Sequence, residues 1–398
     1  MTTGSPPRVT HVITGLGAGG GAENLLFQVL DHLDEGRSGH RVISMRSPQP
    51  SLVPSIEELG VSVRELNWSG RPGPADLLRL GRALRELPSD VIQTWMLHSN
   101  VIGGLAARAV SRTPVIWGVH LSVFDHSSLG NKAAVVQQGE RLCSWGVPSR
   151  IVACSNSSYR AMVDMHYRRK RVVTIPNGFD VSRFRPDPEA RDEVRRELGI
   201  SQTTMVIGHT ARYHPIKDHA GLISAAGEVL EHLPDVRFVL CGAGVERENP
   251  ELDALVAPLG DRVLLLGQRD DVPKVLNAFD LAVSSSVSEA LSLAIGEAMA
   301  TGLPVVATRC GESEDLIGDT GAIVPVRNPR ALAQEIMRLI ETPPETRSEL
   351  GHRARSRISE HYSLQKMVEG YKELWAEVAR SKRSSRRADT KAVWHPRK

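Results

Sequence analysis

The chain has 398 residues, a formal net charge of +3, 41% apolar residues and 24% charged residues, a balance that excludes disordered and collagen-like classes. Its four cysteines, at 143, 154, 241 and 310, are too scattered for a disulfide framework or a zinc site, and read as small buried apolar side chains. No apolar run approaches the roughly 18 residues that a membrane span needs, residues 1–8 do not read as a signal peptide, and a cytoplasmic protein with two domains of about 200 residues each is expected.

From the N-terminus, strands are expected at 9–14, 41–45, 62–66, 91–94, 114–119, 150–154 and 172–175, with a helix at 22–33 after the first and helical stretches between most of the others. Strands alternating with helices require crossover connections and imply a parallel, doubly wound α/β sheet. Gly15-Leu16-Gly17-Ala18-Gly19-Gly20, strand before and helix after, satisfies a dinucleotide-binding fingerprint. That fingerprint expects an acidic residue at the end of the next strand, where this chain has Arg46, so an NADP-dependent oxidoreductase using the arginine on a 2′-phosphate stands as a rival reading. Three small polar or imidazole residues lie at strand ends of this half. His120 follows strand 114–119, and Asn100 and Ser155 are candidate acceptor-side residues that also fit turn or helix-cap roles.

Pro186-Asp187-Pro188, ahead of a charged helix at 189–198, reads as a linker. A second series follows, with strands at 205–209, 237–241, 263–266, 281–284, 304–307 and 322–325 and helices at 222–232, 272–278 and 291–300. The expected domains are 1–185, 186–363, a helix at 364–380 and a basic, disordered tail at 381–398. The first strand of the second half runs into Arg212 and Lys217, with Pro215 between them. A guanidinium and an ammonium at a strand mouth suit a diphosphate. Glu289 and Glu297 stand eight positions apart; with a helix starting near Leu293, Glu297 falls on its first turn and Glu289 in the loop before it. The amides of Leu291, Ser292 and Leu293 then point with the helix dipole at an anion. Phosphate-seeking amides between hydroxyl-seeking carboxylates fit a sugar nucleotide. Asp271, ahead of Val272-Pro273, reads as a helix N-cap rather than half of an acidic metal pair with Asp270, and the histidines at 214 and 219 form no ligand array.

Taken together and in order, Gly19-Gly20-Gly21-Ala22-Glu23, Gly118-Val119-His120, Ile175-Pro176-Asn177-Gly178-Phe179-Asp180, Arg212 with Lys217, Gly242-Ala243-Gly244 and the glutamate pair resemble the family 4 retaining glycosyltransferases, which have the two-domain GT-B fold. The likeness spans most of the chain. It departs after the first glutamate, where the family often has glycine, an aromatic residue and proline and this chain has Ala290-Leu291-Ser292. The resemblance implies two Rossmann-like domains facing across a cleft, with the final helix crossing back to the first. It implies metal-independent transfer of a sugar from a nucleoside diphosphate sugar to a saccharide or lipid-linked acceptor, in polysaccharide or glycolipid synthesis. Gly19, Gly20 and Gly242 would then flank the donor, Arg269 would lie by the base, and His120 would approach the donor sugar. Arg212, Lys217 and Glu289 join His120 as catalytic candidates, Glu297 grips the ribose, and no cofactor is expected. A nonhydrolysing sugar-nucleotide epimerase, which shares the two-domain plan, and a catalytically silent sugar-nucleotide binder also fit these residues.

Residues 381–398 hold seven Lys or Arg against one Asp, leaving the first 380 at −3. A solvated tail or a peripheral contact with an anionic membrane both fit it, with Trp394 able to rest at the headgroups. Nucleic acid is not expected, because no aromatic or helical recognition element joins the basic residues.

Overall fold

The computed structural model describes residues 5–17, 21–33, 36–70, 72–119 and 131–391, the side chains of 131–135 and 382–391 excepted. The chain forms two units, residues 1–177 with 364–398, and residues 178–363. In the first, β1 (Val9–Gly15), β2 (His40–Arg46), β3 (Ser62–Glu65), β4 (Val91–Trp95), β5 (Val115–Val119), β6 (Arg150–Ala153) and β7 (Val172–Thr174) form one sheet in the order β3-β2-β1-β4-β5-β6-β7. Every neighbouring pair is parallel. Every residue of β4 and β5 is buried, as expected of central strands covered on both faces. On one face Leu26 and Leu30 of the helix Gly21–Asp31 pack with Ile13 and Trp95; on the other, Leu80 and Leu84 of the helix Pro74–Glu86 pack with Ile43 and Trp117.

The C-terminal helix Leu364–Lys391 belongs to this unit. Tyr371 and Trp375 are buried in the first core, and Trp375 Nε1 donates to Gln93 Oε1 at 3.2 Å. Residues 381–391, expected to be disordered, continue this helix. Once packing has nucleated a helix, each further residue adds a hydrogen bond without a new nucleation cost, and Lys, Arg and Ala are good helix formers.

The second unit holds β8 (Val206–Thr210), β9 (Arg237–Cys241), β10 (Val263–Leu265), β11 (Leu281–Ser284), β12 (Val305–Thr308) and β13 (Ala322–Val324), in the order β10-β9-β8-β11-β12-β13 and all parallel. Its two cores lie on opposite faces of this sheet. The order reverses between β8 and β11, and the carboxyl ends of strands at such a reversal are where open α/β sheets bind ligands.

The boundary falls at 177/178, not at 185/186. Phe179 and Phe184 are buried in a second-unit core. Asp187, read as linker, instead caps the helix Pro188–Glu197, its side chain accepting from Ala190 N at 3.0 Å, with Pro188 as first helical residue. That helix is held to the sheet by Arg195, which is fully buried. Its guanidinium donates to the carbonyls of Ala278, Ser201, Gln202 and Thr204 at 2.9–3.1 Å and to Asp280 Oδ2 at 2.7 Å. Asp280 also takes Arg191 at 2.6 Å and the amide of Val206 at 2.8 Å.

Candidate functional site

The site builds outward from the reversal between β8 and β11. Beyond Thr210, the amide of Ala211 donates to Cys241 O at 2.9 Å and that of Tyr213 to Ala243 O at 2.7 Å, so the loop after β8 is clipped to the loop after β9. Gly242 makes this approach possible: its φ is +154°, and a Cβ there would meet Ala211 O at 2.1 Å. Arg212 on this loop is exposed and pairs with no carboxylate among the described residues. A short 3₁₀ turn, Pro215–Lys217, then sets Lys217 just before the helix His219–His232, whose N-cap Asp218 accepts from Gly221 N at 3.1 Å.

From the other strand, Ser285 Oγ donates to Lys217 O at 2.7 Å and Val287 N to Ile216 O at 2.8 Å, tying the two strand-end loops together. Lys217 Nζ donates to Glu289 Oε1, which also accepts from Ser286 Oγ at 2.9 Å. The two charged side chains are only 17% and 11% exposed, so this charge-assisted bond is largely shielded from water. Gly311, at φ +56°, lies against the other side of the loop, where a Cβ would meet Glu289 O at 1.9 Å, and Glu312 N donates to Ala290 O at 3.0 Å. The loop is therefore pinned on both flanks and enters the helix Leu293–Ala300 at N-cap Ser292. Among the described residues the amides of Leu291, Ser292 and Leu293 have no protein acceptor. They form an anion-seeking terminus. At the departure from the family pattern, Leu291 packs into the core with Ile295.

Glu297 is the fifth residue of this helix and so opens the second turn, not the first. It is partly buried, and protein crowding its carboxyl raises the pKa from the ordinary 4.5 to about 7, with the charge of Arg183 pulling the other way. No direct bond joins it to Glu289 among the described residues. Because the folded pKa is raised, its contribution to stability is intact below about pH 4.5 and lost as pH rises through 7. Relative to the wild type, Glu297→Gln is expected to gain stability from pH 4.5 to pH 8, by up to about 3 kcal/mol at about 1.4 kcal/mol per pKa unit. Urea unfolding at the two pH values measures it, and an equal offset at both removes the titration from Glu297.

Other expected site residues have different surroundings. Arg269 is forked onto Asp271 at 2.7 and 2.8 Å and onto Glu197 at 2.5 and 3.1 Å. Asp271 holds the N-cap position, but its carboxylate is drawn to Arg269 and makes no cap bond, contrary to the capping expected of it. Asn100, expected to line an acceptor, is fully buried: it accepts from Thr94 Oγ1 at 2.6 Å and donates to Gly118 O at 3.1 Å and Glu140 Oε1 at 2.7 Å. Ser155 is likewise buried and caps the helix Asn156–Asp164 through a bond from Ser158 N at 3.0 Å. Both side chains thus have buried protein partners, as buried polar groups generally do. His219 stands edge-on to His209, ring centroids 5.1 Å apart, and burial lowers their pKa values to about 4 and about 3. His214 accepts from Ile216 N at 3.3 Å. Among the described residues no group of three or more His, Cys, Asp or Glu could share a metal. Gly19, Gly20 and His120 lie outside the described residues.

Three features were not anticipated. Ser285 and Ser286 tie Lys217 and Glu289, and their only signal is a serine run after a strand. Arg183 is the cation that acts on Glu297. Met96, after β4 at the reversal of the first sheet, has φ +74°, a strained conformation of the kind found at functional sites, and nothing in its residue type announces it.

The family model described as "Glycosyltransferase Family 4" matches residues 19–183, and that described as "Glycosyl transferases group 1" matches 204–342. A D-inositol 3-phosphate glycosyltransferase of Corynebacterium urealyticum is 32% identical over 372 residues, covering 83% of this chain and 86% of its own. The chain belongs to the family 4 glycosyltransferases. A UDP-Gal:alpha-D-GlcNAc-diphosphoundecaprenol alpha-1,3-galactosyltransferase of Escherichia coli is 24% identical over 312 residues, covering 77% of this glycosyltransferase and 80% of its own chain. Anabaena Alr3699/HepE, solved with UDP, superposes with a TM-score of 0.80 at 23% identity, covering 93% of this chain and 100% of that one. A sucrose-phosphate synthase of Thermosynechococcus elongatus superposes with a TM-score of 0.74 at 18% identity over 94% of this chain and 100% of that one. These likenesses establish the GT-B fold. The glycine cluster therefore sits in a glycosyltransferase, and the NADP reading falls away.

Proposed function

We propose that this glycosyltransferase moves a hexosyl unit, with retention of anomeric configuration, from a uridine diphosphate sugar to an acceptor hydroxyl in polysaccharide or glycolipid synthesis. The observation that carries the reading is the Lys217–Glu289 pair at the carboxyl ends of β8 and β11, beside the open amides of Leu291, Ser292 and Leu293. The donor base follows the E. coli relative, named for UDP-Gal, and Alr3699/HepE, solved with UDP and with UDP-glucose.

In this reaction the bond from the anomeric carbon to the β-phosphate oxygen breaks while the acceptor oxygen bonds to the same carbon, and the acceptor proton passes to the leaving phosphate. Arg212, Lys217 and the three amides would offset the charge growing on that phosphate, each preorganised donor lowering the barrier by about 2.7–4 kcal/mol. Glu289 would accept hydrogen bonds from the sugar hydroxyls, Glu297 from the ribose, and His120 would steady the reacting carbon; Gly19, Gly20 and Gly242 would let the backbone close on the donor and Arg269 would flank the base. The acceptor is a saccharide or lipid-linked hydroxyl, and the basic C-terminal segment would bring the enzyme to an anionic membrane surface.

Thermal stabilisation by a panel of nucleotides, sugar nucleotides and nicotinamide cofactors tests the donor site. At one hundred times its dissociation constant a uridine diphosphate sugar is expected to add about 2.7 kcal/mol to the unit that binds it, and Arg212→Ala and Glu297→Ala to lose the effect. Stabilisation by another base corrects the donor. Conversion of the sugar nucleotide without any acceptor would establish the epimerase instead, and affinity without turnover the silent binder.

A further inference from the structure

At the amino-terminal edge of the first sheet, the loop from the helix Asn131–Cys143 to β6 gathers arginines from different parts of the chain. Its successive carbonyls each hold one: Ser144 O accepts from Arg171 at 3.3 Å, Trp145 O from Arg168 at 3.0 Å, Val147 O from Arg108 at 2.9 Å and Ser149 O from Arg150 at 3.0 Å. Arg108, Arg112, Ser149, Arg150 and Glu377 line a groove of about 220 Å³ there. One carboxylate, Glu377, pairs with the cluster, on Arg150 at 2.5 Å. Burial and then the charges of Arg168, Arg108 and Arg150 lower the pKa of Arg171, the mark of like charges held together. Of these four arginines Arg108 and Arg150 line the groove, joined there by Arg112, and three guanidinium groups with Glu377 as their counter-ion among the described residues suit oxyanions.

The same loop carries apolar surface. Trp145 is 58% exposed and Leu142, less than one helical turn before it, 64%, while Arg168 lies 6.0 Å from the Trp145 ring centroid. The C-terminal helix lines the groove at Val378 and Ser381, and the sequence that follows holds Lys382, Arg383, Arg386, Arg387 and Lys391.

We propose that this face of the first unit docks on a bilayer bearing anionic phospholipid, with the arginine groove taking headgroup phosphates and Trp145 and Leu142 entering the interfacial layer. Charge decides for a lipid surface over an apolar protein partner, because Arg168 lies against the exposed Trp145 ring, the loop that carries Trp145 holds the arginine cluster, and the chain beyond the groove is basic in sequence. Trp is favoured where an apolar body meets a polar layer, and arginine binds phosphate oxygens in pairs. The basic segment proposed above to reach the membrane would then be the extension of a folded surface. The docking does not depend on the sugar-transfer reading.

Sedimentation of the full chain with vesicles tests it, comparing phosphatidylglycerol–phosphatidylcholine mixtures with phosphatidylcholine alone. Sedimentation is expected with the mixture only, weakening with salt. Arg112→Gln is expected to weaken binding roughly fivefold, the effect of one basic residue near an anionic surface, and Trp145→Ala to weaken it further without changing the melting temperature. A full chain with Lys382, Arg383, Arg386, Arg387 and Lys391 all changed to Gln is expected to keep binding that is still sensitive to Arg112→Gln. Vesicle binding untouched by Arg112→Gln and Trp145→Ala but abolished by the five-Gln change would make the basic helix the sole anchor and overturn the proposal. So would saturable binding of inorganic phosphate with no affinity for vesicles, which would make the groove a site for a soluble anion. Stabilisation by uridine diphosphate sugars is expected to be unchanged in all these variants; its absence from the wild type would bear on the transfer reading alone.

Discussion

Lys217→Ala is expected to lower the turnover of sugar transfer by about a hundredfold to a thousandfold, the usual effect of deleting one preorganised donor to developing negative charge. The expectation rests on where Lys217 is held. Its own carbonyl accepts from Ser285, the neighbouring Ile216 carbonyl from Val287, and its ammonium bonds Glu289. A lysine fixed by both strand-end loops need not reorganise when the phosphate departs, which separates this role from general attraction of an anion. Loss should therefore fall on kcat more than on KM. Lys217→Arg is expected to recover part of the rate, since it restores charge with a planar fork in place of a point charge. The variant also leaves Glu289, 11% exposed, without its cation, so its folding must be checked by melting before kinetics are read. Turnover near the wild-type value in a folded Lys217→Ala enzyme would remove this residue from the leaving group.

Arg195→Met is expected to destabilise the second unit by about 3–5 kcal/mol, the range for breaking a buried ion pair from one side. The arginine is wholly buried and joins four carbonyls and Asp280. Methionine fills much of the volume but strands those acceptors, and the stranded groups, not the lost attraction, set the cost. For a unit of this size the melting temperature should fall by roughly 10 °C. Calorimetry should show the loss in one of two transitions, because the core of residues 1–177 with 364–398 makes no use of Arg195. Adding Asp280→Asn to Arg195→Met should cost less than the separate losses combined, as expected for contacting residues. A melting temperature unchanged in Arg195→Met would show that water reaches these carbonyls.

The strands were the most legible part of the chain. Those at 237–241 and 281–284 lie where the apolar runs placed them, because buried central strands of a parallel sheet read as unbroken hydrophobic stretches. The reversal that brings Lys217 to Glu289 was legible only through the alternation of elements and the ordered motifs. What misled was chemistry with two local readings. Pro-Asp-Pro serves a linker and a capped helix start equally well, and the cap prevailed because Phe179 and Phe184 pull residues 178–185 into the second core. Asn100 and Ser155 resemble surface polar residues until partners such as Glu140, forty positions from Asn100, are known. Arg195 lies in a helix of mixed charge, and its counter-ion is 85 positions away. Pairings of that range have no trace in local spacing.

The split composition of the first unit bears on how the chain comes off the ribosome. Domains are made N-terminal first at roughly 5–20 residues per second and tend to fold in that order. Here the order is inverted. Trp375 meets Gln93 across 282 positions, so the earlier-made unit waits, its face beside Trp95 uncovered, until the later-made one has left the exit tunnel. The first unit thus closes after the second has been made, and a released chain truncated before Leu364 would carry a complete second unit tethered to an open, aggregation-prone sheet.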